Sequence, residues 1–218
     1  SRVASQNKLW TAMAKETAHQ IGTPLSSLIG WSELLKTEKV NPTYIEEINN
    51  DIKRLETITE RFSKIGSIPQ LMPTDIVQAT RNSVLYLEAR SSKMISFHTK
   101  LLDGSVLIDL NAALYSWTIE NLIKNSIDAM KGKGDLNILM EDTSHEVYIL
   151  ISDTGQGLSK KQFKTIFETG YTTKKRGWGL GLSLAKRIIE QYHGGKIKVL
   201  SSELGKGTTF QITLKKSI

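Results

Sequence analysis

The sequence has no cysteine among its 218 residues. This absence excludes a disulfide scaffold, a thiolate-bound metal ion and a cysteine nucleophile, so any catalysis has to use other groups. Also missing is an uncharged apolar run of about 18 residues, the length that a membrane-spanning helix requires. Because Ser1 falls within a helical pattern, we expect a cytoplasmic fragment whose missing upstream part could include a membrane anchor.

Proline is scarce, with 4 residues, while charged residues make up 23% of the chain and apolar residues 39%. This balance excludes a disordered tail and leaves enough apolar side chains for a packed core. The net charge is +7, but residues 1–66 hold nine basic and eight acidic side chains. The excess therefore lies further on, in small clusters such as Lys174-Lys175-Arg176. Such clusters suit a phosphate-bearing small ligand as well as a polynucleotide, but no basic run alternates with aromatic residues, so the distribution argues against nucleic acid and we expect none as a partner.

Apolar residues recur at steps of three, four and seven between residues 3 and 35, and again between residues 44 and 65. This spacing predicts two long amphipathic helices, and Asn41 followed by Pro42 marks the start of the second one. Helices joined by so short a loop form an antiparallel hairpin, which cannot bury both apolar stripes by itself. We therefore predict a homodimeric four-helix bundle. The alternative is a monomer whose hairpin packs on the rest of the chain.

Two prolines within residues 67–74 indicate a linker, after which the composition changes. We therefore divide the chain into a helical hairpin over residues 1–66, this linker, and a second domain over residues 75–218. The predicted helices of the second domain cover residues 75–90, 111–131 and 180–192, and its predicted strands cover residues 95–100, 105–109, 136–141, 147–152, 197–201 and 208–214. Such a mixture without strict βαβ alternation is typical of an α+β sandwich, with helices on one face of a mixed sheet.

The helix predicted over residues 111–131 carries a polar stripe of two amides and a carboxylate. Asn121, Asn125 and Asp128 fall at positions i, i+4 and i+7, and therefore on one helix face. Such a stripe suits a site for hydrated Mg²⁺ and phosphates, because Mg²⁺ keeps several waters and takes few protein oxygens. Taken alone, however, the stripe is more typical of a solvated helix face.

Two glycine-containing motifs follow this helix. The first, Asp153-Thr-Gly155-Gln-Gly157, ends a predicted strand. Its carboxylate can accept a hydrogen bond from an exocyclic amine, and its glycines let the backbone approach a flat base; an ordinary Asp-Thr-Gly turn is the alternative. The second, Gly177-Trp-Gly179-Leu180-Gly181, opens onto a helix whose first amides can bind phosphate. Neither the P-loop nor the dinucleotide-binding fingerprint is matched.

In their order along the chain, these motifs resemble the ATP-binding domain shared by sensor histidine kinases, type II topoisomerases, Hsp90 and MutL. The resemblance rests on five ordered boxes: Asn121/Asn125, Asp153-x-Gly-x-Gly157, Phe163 with Phe167, Gly177-x-Gly-x-Gly181, and Gly207-Thr208. The complete order is far more specific than any single box. It implies a two-layer α+β sandwich of the Bergerat (GHKL) ATP-binding type.

The resemblance also implies roles for the residues of these boxes. Asn125 would ligate Mg²⁺, Asp153 would bind the adenine amine, and Thr208 would support that contact through water. Residues 167–179 would form a lid, in which Lys174 is the best candidate for a phosphate contact. The implied cofactors are ATP and Mg²⁺, with Asn125 as the metal ligand. The candidate cofactor-binding residues are Asn121, Asn125, Asp128, Asp153, Gly155, Gly157, Lys174, Gly177, Gly179, Leu180, Gly181 and Thr208.

The first domain carries His19, which lies off the apolar stripe, and Pro24 five residues later. A proline inside a helix removes a hydrogen-bond donor and costs about 3 kcal/mol, which beside a histidine suggests a function. The segment resembles the H box of histidine kinases, in which a histidine is followed by Thr or Asn, here Thr23, and then by proline. One departure is Gln20, because these kinases usually carry an acidic residue there to accept the imidazole proton. A neutral amide orients the ring without taking its proton, so either the imidazole attacks unaided or Glu16 assists.

We interpret the chain as the catalytic core of a dimeric sensor histidine kinase, with His19, Gln20 and Thr23 as its catalytic residues. His19 is expected to be phosphorylated from Mg·ATP, and the phosphoryl group to pass to an aspartate of a response-regulator receiver. Thr23 would then help to position the water that dephosphorylates the receiver. One alternative, which Gln20 motivates, is a pseudokinase or phosphatase-biased module that only docks a receiver. The other is a GHKL ATPase, which usually has Glu where this chain has Asn121.

Overall fold

The computed structural model describes residues 21, 25–65, 69–169, 171 and 181–217. The chain divides into two compact units, residues 1–69 and residues 70–218, and each is described by itself. Within the described part of the chain, no helix combines the length and the apolar content that crossing a membrane requires.

The first unit contains two helices separated by a short turn. Helix α1 covers residues 25–35, and α2 covers Pro42–Ile65. The turn begins where the Thr37 N–H and hydroxyl both donate to the Leu34 carbonyl, at 3.0 and 2.7 Å. Asn41 then caps α2, because its Oδ1 accepts the Thr43 N–H at 3.0 Å. The second predicted helix and the break before it are therefore confirmed.

A hydrogen bond across the turn ties the two helices together. The buried Ser32 hydroxyl donates to Asn49 Oδ1 at 2.6 Å. Ile45 and Ile52, seven residues apart on α2, are also buried. Other large apolar side chains of this unit remain exposed, namely Leu28, Ile29, Trp31, Leu34, Tyr44 and Ile48. The described part of the hairpin therefore keeps apolar surface that the described residues do not cover.

The second unit combines strands and helices. Its strands are β1 (Met72–Asp75), β2 (Ile95–Lys100), β3 (Leu107–Leu110), β4 (Gly134–Asp142), β5 (Glu146–Asp153), β6 (Lys196–Glu203) and β7 (Gly207–Lys215). Its described helices are α3 (Ile76–Glu88), α4 (Ala112–Ala129), α5 (Gln162–Thr165) and α6 (Gly181–Arg187), the last continued by a π-helical turn, Ile188–Tyr192. All the helices and strands predicted for this unit are present, with described ends shifted by no more than two residues.

The larger sheet has the strand order β2-β4-β5-β7-β6. β2 pairs with β4 in parallel, and the other neighbours pair antiparallel. On the central strand β5, alternate residues Val147, Ile149 and Ile151 are fully buried, because successive side chains point to opposite faces. Helix α4 packs on β4, β5 and β7, with α3 and α6 beside it. The predicted α+β sandwich with a mixed sheet is confirmed.

The second unit begins before the predicted boundary at residue 75. Met72–Asp75 pairs antiparallel with Leu107–Leu110 in a small separate sheet, so residues 72–74 do not belong to the predicted linker. Pro73 favoured the prediction of an irregular linker here, yet proline is tolerated in an edge strand. Asp75 also caps α3 by accepting the Val77 N–H at 3.0 Å, as its position before that helix predicts.

His193 joins the π-helical turn to the start of α4. The Asn111 N–H donates to His193 Nε2 at 3.0 Å, and His193 Nδ1 lies 2.8 Å from the Ile188 carbonyl oxygen. Because Nε2 accepts a hydrogen bond, the proton lies on Nδ1 and the ring is neutral. Burial lowers the pKa of His193, and the hydrogen bond to the Ile188 carbonyl opposes that shift only in part. The neutral ring is therefore part of the packing that holds α4 in place.

We predict that acid weakens the fold through His193. A histidine whose pKa is lowered by folding contributes stability above its ordinary value of 6.5, and this contribution is lost below that pH because the unfolded chain binds the proton first. His193→Gln should therefore lose less thermal stability than the wild type between about pH 7.5 and about pH 5. Thermal unfolding of the full chain measures the difference, with the exposed His145→Gln as control. An equal acid loss in the wild type and His193→Gln would contradict the prediction.

Candidate functional site

Four residues on four neighbouring strands form one row across the larger sheet. Leu136 pairs with Asp153, Asp153 pairs with Thr208, and Thr208 pairs with Ser202. Residues that pair in this way place their side chains on the same face of the sheet. Asp153 and Thr208 are both buried, with 6% and 5% of their surface exposed. The register thus brings together two predicted site residues from distant parts of the chain.

The buried Asp153 carboxylate lies at the end of β5. Burial raises the pKa of Asp153, and this effect exceeds the opposing one of the Gly155 N–H, which donates to Asp153 Oδ1 at 2.9 Å. Ser126 and the Thr208 backbone also favour the ionised form, although the buried Ser126 Oγ makes no well-formed hydrogen bond. An ionised carboxylate here therefore retains capacity to accept a further hydrogen bond from a ligand.

We predict that Asp153 lowers the stability of the fold at neutral pH. A carboxyl whose pKa is raised by folding is harder to ionise in the folded than in the unfolded chain, so its ionisation weakens the fold at high pH. Asp153→Asn should therefore raise the midpoint of thermal unfolding at about pH 8, because its amide oxygen still accepts the Gly155 N–H. The gain should shrink as the pH falls toward the ordinary carboxyl value of 3.8. The exposed Asp109→Asn is the matched control, and a lower midpoint in Asp153→Asn at pH 8 would refute the prediction.

Backbone segments crowd around Asp153 where side chains could not fit. A Cβ atom at Gly155 would lie 2.6 Å from the Ala129 carbonyl carbon, and one at Gly157 would lie 2.0 Å from the Glu203 carbonyl oxygen. Gly207 has a φ of +121°, and a Cβ atom there would lie 1.8 Å from the Asp153 carbonyl oxygen. Glycine is therefore required at all three positions, and it lets the loop after β5 close against α4 and the β6–β7 turn.

The amides of Asn121 and Asn125 lie together beside the start of α6. A Cβ atom at Gly181 would be 3.9 Å from Asn121 Oδ1 and 3.9 Å from Asn125 Nδ2. Asn121 Nδ2 is buried and has no hydrogen-bond partner among the residues that the structure describes. A buried donor without a partner is costly unless a ligand satisfies it. At Asn121, the stripe predicted on α4 is therefore not simply a solvated helix face.

Two family models match the chain. The model described as "Histidine kinase-, DNA gyrase B-, and HSP90-like ATPase" matches residues 113–218, and the model described as "His Kinase A (phospho-acceptor) domain" matches residues 9–68. The chain belongs to the histidine kinases. The predicted family and the predicted fold, a helical region followed by a GHKL-type domain, are confirmed.

Curated histidine kinases resemble the chain over nearly its whole length. Sporulation kinase E of Bacillus subtilis (strain 168) is 32% identical over 209 residues, which are 93% of this chain and 28% of that protein. The signal transduction histidine-protein kinase AtoS of Escherichia coli (strain K12) is 26% identical over 222 residues, which are 98% of this chain and 36% of that protein. The chain therefore spans about a third of the length of these two relatives.

Solved histidine kinases resemble the chain in structure as well. The histidine kinase ThkA in complex with the response regulator protein TrrA is 26% identical, with a TM-score of 0.62, over 94% of this chain and 61% of that chain. The catalytic domain of ThkA, nucleotide free, is also 26% identical with a TM-score of 0.62, over 68% of this chain and 97% of that chain. The match to ThkA in that complex includes residues from both units of this histidine kinase.

The structure describes only part of the predicted site of this histidine kinase. Asn121, Asn125, Asp153, Gly155, Gly157, Gly181 and Thr208 form or border the site just described. Asp128 lies on the same helix as the asparagines, with its side chain exposed. The predicted residues that lie outside the described ranges are His19, Gln20, Thr23, Lys174, Gly177, Gly179 and Leu180. Their roles stay predictions.

Ser202 is a residue of the site that the sequence analysis missed. Its Oγ contacts Thr208 Oγ1 at 2.8 Å, accepts the Leu158 N–H at 2.7 Å and donates to the Gly207 carbonyl at 2.8 Å. A shift of strand register between Val199 and Ser201 places Ser202, and not Ser201, opposite Thr208. Such a bulge leaves no recognisable pattern in a single sequence, so the sequence offers no signal that separates the two serines.

Proposed function

We propose that this chain is the catalytic core of an ATP-dependent histidine kinase, which phosphorylates His19 and passes the phosphoryl group to an aspartate of a response-regulator receiver. The observation that carries the proposal is the buried Asp153 carboxylate opposite Thr208, which lies in the same domain as the Asn121 and Asn125 amides beside Gly181. Such a site has acceptors for an exocyclic amine and amides for phosphate oxygens and a metal ion.

The residues present fit ATP at both ends of the site. Asp153 retains acceptor capacity for the adenine amine. The unpartnered Asn121 Nδ2 suits a phosphate oxygen. Asn125 is the proposed protein ligand of Mg²⁺, an ion that keeps several waters and takes few protein oxygens. When bound, Mg²⁺ would offset the charge that develops on the phosphate oxygens.

Each of the three proposed catalytic residues has its own role in phosphoryl transfer or in dephosphorylation of the receiver. The neutral imidazole of His19 attacks the γ-phosphorus, so that an N–P bond forms while the bond to the leaving oxygen of ADP breaks. Gln20 orients the ring by hydrogen bonding but cannot accept its proton, which passes to solvent or to another base such as Glu16. Thr23 is the proposed residue that positions water during receiver dephosphorylation.

We propose that the first unit forms a homodimeric four-helix bundle. The exposed apolar side chains of Leu28, Trp31, Leu34 and Tyr44 support this, because a hairpin with such a surface is stabilised by burying it against a second copy. The similar kinase ThkA was solved in complex with the response regulator protein TrrA, which supports a receiver as the second partner. The proposed location is the cytoplasm, where ATP is available.

Incubation with Mg·ATP labelled on the γ-phosphate tests the proposed function against its two alternatives. A histidine kinase retains a label on the protein that is labile to acid and stable to base. An ATPase releases labelled phosphate without labelling the protein, and a module that only docks a receiver does neither. ATP labelled on the α-phosphate is the control, because it should leave no label on the protein. Absence of acid-labile label would overturn the proposal.

A further inference from the structure

Ser202 lies at the point where three segments around the proposed adenine site meet. It is opposite Thr208 in the row that also contains Asp153. Its Oγ accepts the N–H of Leu158, the residue that follows the Gly155–Gly157 loop, and donates to the carbonyl of Gly207. The extra residue in β6 between Val199 and Ser201 turns this serine toward Thr208, as bulges do when they re-aim a side chain.

The hydrogen bonds of Ser202 determine the direction of its contact with Thr208. A serine hydroxyl has one proton, and a carbonyl can only accept, so the proton of Ser202 is directed to the Gly207 carbonyl at 2.8 Å. In the 2.8 Å contact between Ser202 Oγ and Thr208 Oγ1, the donor must then be Thr208. The proton of the Thr208 hydroxyl is therefore already used in a hydrogen bond. Toward any further partner, this hydroxyl can only accept.

We propose that Ser202 is a positioning residue that fixes the Thr208 hydroxyl as a hydrogen-bond acceptor and thereby favours adenine over 6-oxopurines. The inference rests on the proposed function, in which Asp153 and Thr208 face the base. An ionised Asp153 is also acceptor-only, so the two side chains together match a 6-amino group, directly or through one water. They disfavour a 6-oxo group, because its oxygen is also an acceptor and cannot hydrogen-bond to either side chain.

Removal of the Ser202 hydroxyl should relax this preference. Without its partner, the Thr208 hydroxyl is free to rotate and can donate toward a 6-oxo group, while Asp153 still disfavours it. We therefore expect Ser202→Ala to lower the ratio of ATP affinity to inosine triphosphate affinity by about 5- to 10-fold, the range expected for one misdirected hydrogen bond. The two nucleotides differ at the 6-position of the purine and at the neighbouring N1, which is an acceptor in adenine and an N–H donor in hypoxanthine, so the ratio reports on this edge of the base and on no other part of the nucleotide.

The test measures both affinities by calorimetry on the full chain with Mg²⁺. The exposed neighbour Ser201→Ala is the matched control, because a general weakening of β6 would affect both variants and would leave the ratio unchanged. Thr208→Val removes the hydroxyl through which Ser202 is proposed to act. In the Thr208→Val background, Ser202→Ala should therefore change the ratio no further.

Different outcomes test the proposed function and the role of Ser202. A wild-type chain that does not bind ATP would overturn the proposed function. A wild-type chain that binds ATP, together with a Ser202→Ala variant whose ratio is unchanged or whose effect persists in the Thr208→Val background, would overturn only the role of Ser202. Should Ser202→Ala fail to fold, the near-isosteric Ser202→Cys is measured instead, because its weak S–H donor should lower the ratio in the same direction.

Discussion

His19→Ala is expected to lose all acid-labile label from γ-labelled ATP while it binds ATP as tightly as the wild type. The reason is that the phosphate acceptor and the nucleotide site are assigned to different units. The described residues proposed to contact the nucleotide, from Asn121 to Thr208, all belong to the second unit, whereas His19 belongs to the first. Labelling with γ-labelled ATP and calorimetry on the same preparation measure the two properties.

The matched control for this variant is a histidine of the second unit. His145 is exposed in the turn between β4 and β5, and His145→Ala should keep both labelling and ATP affinity. Label that persists in His19→Ala would show that another residue is the acceptor. A parallel loss of ATP affinity in His19→Ala would contradict the assignment of acceptor and nucleotide site to different units.

Asn125→Ala is expected to reduce the affinity for Mg·ATP by at least about 100-fold, which corresponds to about 2.7 kcal/mol. The proposed loss has two parts, because the amide is both the proposed protein ligand of Mg²⁺ and a neighbour of Asn121 beside Gly181. Calorimetry with and without EDTA separates them. Removal of Mg²⁺ should weaken binding strongly in the wild type and only slightly in Asn125→Ala.

Asn137→Ala is the control for that experiment. Asn137 is an exposed asparagine on β4, so its replacement should leave ATP affinity and its dependence on Mg²⁺ unchanged. Thermal unfolding without nucleotide should give similar midpoints for both variants, because the Asn125 side chain is only partly buried. An Asn125→Ala variant with wild-type affinity would remove this residue from the metal site.

The sequence indicated those parts of the candidate site that depend on local chemistry. Asp153 ends a strand of alternating buried residues, and the glycines after it are needed because backbone lies within 3 Å of any Cβ atom there. Asn121 and Asn125 share a helix face because of their i, i+4 spacing. The pairing of Asp153 with Thr208 follows from sheet register, and the sequence indicated it only through the order of the family motifs.

The features that the sequence did not predict depend on tertiary contacts. Pro73 favoured a linker, yet β3 provides a partner that draws Met72–Asp75 into a sheet. The π-helical turn Ile188–Tyr192 leads into His193, whose ring bonds to Asn111 at the start of α4. Ser202 is selected over Ser201 by one extra residue in β6. In the first two cases the decisive partner is distant in sequence, and in the third a bulge shifts the register, so local spacing reveals none of them.

Mapping the phosphoryl group on the wild-type chain is the most direct test of the central claim. After incubation with Mg·ATP, digestion at neutral to alkaline pH preserves the N–P bond, and mass spectrometry identifies the modified peptide. The account predicts a single phosphorylated histidine at position 19. Phosphate found on a serine or threonine, on His98, His145 or His193, or on no residue at all would contradict it.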